Sequence, residues 1–128
     1  MAYPDQTFVR VLVVDDSEVF QHVLSALVGS APGFEVVGAA SSGREAVHLI
    51  DVLDAQLVLV DLRMPELDGI ETAKRLRERH PDVEVVLITG NRRPSLALPS
   101  LVIVDARDLS PEWLADFWRR HSHRKTDS

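Results

Sequence analysis

The sequence predicts an α/β domain on an open five-stranded parallel sheet. Three observations point there. Five short apolar runs recur along the chain. Stretches of helical period separate the first four of them and close the chain. The runs are continuous rather than alternating, as in "LVLV" (57–60), which suits strands covered on both faces. Alternation of this kind implies right-handed crossovers and a parallel sheet between two helical layers.

Each element has its own signal. "FVRVLVV" (8–14) reads as the first strand. "SEVFQHVLSALVGS" (17–30) reads as a helix with Phe20, Val23, Leu24 and Leu27 on one face and Gly29 near its stop. "FEVVGAA" (34–40) is the second strand, and "SSGREAVHLIDVL" (41–53) a helix with Ala46, Leu49, Ile50 and Leu53 on one side. "QLVLV" (56–60) is the third strand. "GIETAKRLRERH" (69–80) is a helix turning Ile70, Ala73 and Leu76 inward. "VEVVLIT" (83–89) and "SLVIVDA" (100–106) are the fourth and fifth strands. "SPEWLADFWRRH" (110–121) is the closing helix, with Ser110 as N-cap, Pro111 at the first position, and Leu114 and Phe117 toward the sheet. Between strands four and five, "GNRRPSLALP" carries Gly90, Pro94 and Pro99. That composition leaves room for one turn at most, so the helix expected there is reduced or lost. The reading divides the chain into an N-terminal extension (1–7), one domain (8–121) and a polar tail (122–128).

Composition bounds the function. The 128 residues are 45% apolar and 27% charged, enough for one domain with a real core. Without cysteine there is no disulfide and no thiolate metal site. No apolar run approaches the ~20 residues that span a bilayer, and "MAYPDQTF" lacks the regions of a signal peptide. A cytoplasmic location without membrane contact is the expectation. The formal net charge of −6 argues against direct DNA binding, which wants a basic face. The five histidines (His22, His48, His80, His121, His123) are scattered and read as surface or helix residues.

The polar residues fall at strand ends. In open parallel sheets, ligands bind beyond the carboxyl ends of the strands. Asp15 and Asp16 end strand one, Asp61 ends strand three and Thr89 ends strand four. With strands one and three adjacent, as in the order 2-1-3-4-5, three carboxylates meet in one pocket. Like charges at that range repel unless a cation sits among them. Oxygen-only ligands suit Mg²⁺ better than Zn²⁺. Singly, Asp16 or Ser17 could be a helix cap, Asp61 a turn former and Thr89 a plain strand residue. Their coincidence at equivalent strand ends favours a site.

At this point "VLVVDDSE", "LVLVDLRMPELDGIE" and "VVLIT" resemble the receiver domain of bacterial two-component response regulators over about residues 8–120. The resemblance implies a flavodoxin-like sheet and a phosphoacceptor signalling domain, not an enzyme. It implies that Asp61 takes a phosphoryl group from a sensor histidine kinase or phosphotransfer protein. Asp15, Asp16, Asp61 and the main-chain carbonyl of Arg63 would hold Mg²⁺. Pro65 and Gly69 would shape the loop carrying the acceptor, Thr89 would contact the phosphoryl oxygens, and Gly90 would keep access open. A homodimer or output-protein contact would use the fifth strand and last helix. "FEVVGAASSGREAV" further resembles receivers attached to helix-turn-helix output domains; none follows here, so a stand-alone receiver or receiver segment is expected.

The last third departs from that pattern. The family's lysine near the end of strand five is missing, and "ARDLSPEWL" places Arg107 there. The family's switch aromatic falls near Val104. Three readings follow: a phosphorylatable receiver, an atypical phosphorylation-independent interaction module, and a metal-dependent phosphohydrolase with an aspartyl nucleophile. The third expects an Asp two residues after the first, where Arg63 stands.

Overall fold

The computed structural model describes residues 8–62, 66–90 and 101–126. Its elements are β1 (Val9–Val14), α1 (Glu18–Gly29), β2 (Phe34–Ala40), α2 (Gly43–Leu53), β3 (Leu57–Asp61), α3 (Glu66–Arg79), β4 (Glu84–Thr89), β5 (Val102–Asp105) and α4 (Pro111–Thr126). The sheet runs β2-β1-β3-β4-β5 with every neighbouring pair parallel. This is the expected order. Residues 91–100, on which the reduced helix between strands four and five was expected, lie outside the described residues.

The period-2 pleat sorts each apolar run into two cores. Leu12, Val14, Val58, Val60, Val85 and Leu87 pack under α2 and α3 with Ala46, Ile50, Ile70, Ala73 and Leu76. Val11, Val13, Leu57, Leu59, Val86 and Ile88 pack on the other face with Leu24, Val28, Leu114 and Phe117. All five residues of β3 are buried, which is why its sequence shows no polar alternation. Burying each such aliphatic side chain contributes roughly 1.5–3 kcal/mol, and both layers depend on it.

Side-chain caps fix where the helices begin. Ser17 Oγ accepts from Phe20 N–H at 3.3 Å, Ser42 Oγ from Glu45 N–H at 3.1 Å, and Ser110 Oγ from Trp113 N–H at 3.0 Å. Glu45 returns the favour at α2, accepting from Ser41 N–H at 2.7 Å. At the other end of α2, Asp54 adopts a left-handed conformation (φ 56°), and Arg10 from β1 donates to the carbonyls of Leu53 and Asp54. Below it, Asp51 accepts from Arg79 and pairs with His80 at 2.6 Å, tying α2 to the end of α3. The His80 hydrogen bond first, then Arg79, hold the Asp51 carboxyl below its ordinary value.

Four expectations change. In α1 the buried stripe is Leu24 and Val28, while Phe20 (39% exposed) and Val23 (52%) face outward. The helix lies over β1 and β2 alone at one side of the sheet, and that narrow seat covers one stripe. Helix α3 starts at Glu66, three residues early, so Gly69 is a buried helical residue rather than a loop residue. A Cβ there would press on the Leu62 side chain at 3.2 Å; the close approach of α3 to the strand end outweighs glycine's low helix propensity. Strand β5 is four residues, shorter than read. Helix α4 continues to Thr126, through most of the segment read as a tail. Its Trp113 and Trp118 are half-buried against the core, and Trp113, Phe117 and His121 stack in series at 5.3 and 4.1 Å. Among the described residues no helix is long and apolar enough to cross a membrane.

Candidate functional site

Register assembles the acids. Val14 and Val60 are partners across β1 and β3, and Asp15 and Asp61 are the next residues on each strand. Asp15 is 0% and Asp61 1% exposed. Alternation leans both carboxylates toward the α1/α4 layer, following Val13 and Leu59. The backbone around them is fixed. Asp15 N–H donates to Ala40 O at 3.0 Å, and Leu62 N–H to Ile88 O at 2.7 Å. Gln21 Nε2 donates to Asp15 O at 2.7 Å. Asp15 Oδ1 accepts from Ser17 N–H at 2.8 Å, which turns the chain into α1. The cap itself is Ser17, so Asp16 is not consumed by capping; its side chain is exposed beside the pair.

Thr89 ends β4, one step beyond Ile88, the partner of Asp61. It is buried and has Asp105 of β5 as its own partner. Alternation leans Thr89 and Asp105 toward the α2/α3 layer, so four polar side chains ring the end of the sheet, two leaning each way. Gly90 follows Thr89 and is exposed.

Arg107 sits in the turn after β5, not on the strand. Its Nε and Nη2 donate to Asp105 Oδ1 and Oδ2 at 3.1 and 2.9 Å, and its own N–H donates to Oδ1 at 2.8 Å. The side chain is 83% exposed. The guanidinium, and after it the backbone N–H, lower the Asp105 carboxyl from 3.8 to about 2, while Asp105 raises Arg107. Asp105 is a site residue that the sequence signals only by position: it is an acid ending an apolar strand, like Asp15 and Asp61, and the apolar run "SLVIVDA" hides that end by continuing to Ala106.

Two acids are brought fully together, Asp15 and Asp61. Among the described residues no group of three His, Cys, Asp or Glu stands ready to hold a metal, and Asp16 is exposed. Arg63 and Pro65 lie outside the described residues. The donor chemistry nonetheless suits a hard cation: two adjacent buried carboxylates, an exposed third next to Asp15 in the chain, and no His or Cys among the described residues at these strand ends. A groove of about 640 Å³ between α2 and α3, against Arg44, His48 and Thr72, includes none of these residues. Val104, at the place of the expected switch aromatic, is buried with Leu114 and Phe117.

Comparison with known proteins agrees with this geometry. Residues 11–108 match the family model described as the response regulator receiver domain. Among curated proteins, the chain is 32% identical over 100 residues to a protein-glutamate methylesterase/protein-glutamine glutaminase of Trichodesmium erythraeum, covering 77% of this chain and 28% of that protein. It is 37% identical over 81 residues to the response regulator GacA of Pseudomonas viridiflava, covering 63% of this chain and 38% of that one. The chain thus spans well under half the length of these relatives. Among solved structures it is similar to the response regulator domain of Thermotoga maritima CheB, with a TM-score of 0.74, 27% identity, and coverage of 91% and 97% of the two chains. It is also similar to the signal receiver domain of the putative response regulator NarL from Mycobacterium tuberculosis, with a TM-score of 0.74, 26% identity, and coverage of 88% and 98%.

Proposed function

Because the chain belongs to the response regulator receiver domain family, we propose that it is a phosphoacceptor of a two-component relay, with Asp61 as the acceptor. The observation that carries the proposal is Asp61 itself, buried next to Asp15 at the carboxyl end of a fully apolar strand. That strand holds the nucleophile rigidly at the carboxyl end of the sheet. A carboxylate oxygen of Asp61 attacks the phosphorus of a phosphohistidine on a sensor histidine kinase or phosphotransfer protein. The new bond is O–P, the bond that breaks is P–N, and the electron pair returns to the imidazole nitrogen. Asp15, Asp16, Asp61 and the Arg63 carbonyl would hold Mg²⁺. When bound, that ion supplies positive charge against the carboxylates and the incoming phosphoryl oxygens. Thr89 would donate its hydroxyl to a phosphoryl oxygen, and Arg107 would add a charge-assisted hydrogen bond. The test is intact mass after incubation with a small phosphodonor and Mg²⁺. Wild type should gain one phosphoryl group and Asp61→Asn none; equal gain in both removes Asp61 from the role.

A second reading is favoured by two observations: Arg107 is already engaged by Asp105, and Val104 has no ring to reorient. In this reading the domain is a phosphorylation-independent interaction module, acting through a homodimer or an output protein at β5 and α4. A wild-type protein that gains no mass with any small phosphodonor, yet binds its partner, selects it.

A further inference from the structure

We infer that Asp105 is a positioning residue for Arg107: it parks the guanidinium at the carboxyl edge of the sheet, and a phosphoryl group on Asp61 takes the guanidinium from it. The inference rests on the phosphoacceptor reading and names the residue that competes with the phosphoryl group.

The chemistry of the pair permits an exchange. Arg107 meets Asp105 through two of its nitrogens, one on each carboxylate oxygen. The same planar fork matches a phosphoryl group, so nothing about the arginine needs to change except its direction. A phosphoryl group carries close to two negative charges against one on Asp105, which favours the transfer.

The pair also stands in the right place. Asp105 is registered with Thr89, and Ala106 N–H donates to Thr89 O at 2.7 Å. Thr89 is one step past the partner of Asp61. One strand therefore separates Asp105 from Asp61, two strand spacings, or about 10 Å between backbones. A long side chain rooted in the turn just past the edge can sweep over the end of the sheet across that interval.

Release costs little. Arg107 is mostly in water, so no packing is lost when it moves. Asp105 keeps the Arg107 backbone N–H on Oδ1, so its carboxylate is not left without a donor. The pivot stays fixed, because Asp108 N–H holds Asp105 O at 2.8 Å. The Asp105 side chain is half-buried, but the guanidinium end of the pair is in water and screened by salt, so the clasp is strong enough to bias the resting direction of Arg107 and weak enough to yield.

The test is a double-mutant cycle on affinity for beryllofluoride with Mg²⁺, using the full chain. Asp105→Asn should bind the mimic about threefold more tightly than wild type, since the competing carboxylate is gone. Arg107→Ala should bind about tenfold more weakly. In the Arg107→Ala background, Asp105→Asn should change affinity by less than about twofold, because charge repulsion alone is screened at that distance. Equal tightening in both backgrounds, or none in either, overturns the inference while leaving Asp61 as acceptor. A wild type that does not bind the mimic at all overturns the phosphoacceptor reading and the inference with it. Independently of any variant, the Arg107 Nε resonance of wild type should move when the mimic binds; a bound mimic with an unmoved resonance counts against the exchange.

Discussion

Asp15 and Asp61 stand side by side, each the residue after the register partners Val14 and Val60, and both are sealed from solvent. Two like charges side by side repel each other, and an amide at one of the two positions removes that repulsion. Asp61→Asn should therefore unfold at a higher temperature than wild type without divalent ions, by about 3–6 °C for roughly 1 kcal/mol. Mg²⁺ should raise the wild type more than the variant. Calorimetry of both proteins, with and without Mg²⁺, checks this; a wild type indifferent to Mg²⁺ would count against the cation site.

Thr89 tests the phosphoryl contact separately from the acid pair. Thr89→Val keeps the branched shape and removes only the hydroxyl. Resting stability should change by no more than about 1–2 kcal/mol. Affinity for beryllofluoride should fall about fivefold to tenfold, the value of one hydrogen bond. Titration of the two proteins distinguishes this from a plain strand residue, whose valine variant would bind the mimic as wild type does.

Gly43 opens α2 directly against Thr72 of α3. A Cβ at position 43 would collide with the Thr72 hydroxyl, and Thr72 is itself buried. Gly43→Ala should cost about 1–3 kcal/mol in denaturant unfolding. Gly43→Ala with Thr72→Ala should recover most of that loss, because the double variant removes the colliding atom. A double variant no better than the single one would place the cost elsewhere.

Asp105 should titrate far from an ordinary carboxylate. Its folded value is lowered to about 2 from 3.8. The sign follows: the pair's contribution to stability is complete above the ordinary value and is lost as pH falls toward and through about 2. Carboxyl-carbon NMR should give the low midpoint in wild type, returning toward 3.8 in Arg107→Ala.

Much of this fold was legible in the sequence because its signals were local. The apolar runs marked the strands, and Ser110-Pro111 marked the start of α4, where Ser110 does cap the helix. The acids at the ends of β1 and β3 followed from one rule about parallel sheets, and register then put Asp15 beside Asp61. What failed was decided by tertiary contact. Phe20 and Val23 have the right spacing for a core face, but the seat on β1 and β2 buries Leu24 and Val28, with Leu27 packed partly against them. Gly69 carries the residue type of a loop and sits inside α3 because Leu62 lies against it. Arg107 lies in the turn after β5, and no spacing rule shows that its fork closes on Asp105 two residues back.

The brevity of β5 has a consequence for how the molecule meets others of its kind. A four-residue outer strand offers a short row of main-chain donors and acceptors, too few to template a growing sheet. The other outer strand, β2, is seven residues long and places the outward charge of Glu35 among them. Polymerisation by strand addition is thus discouraged by length on one flank and by charge on the other.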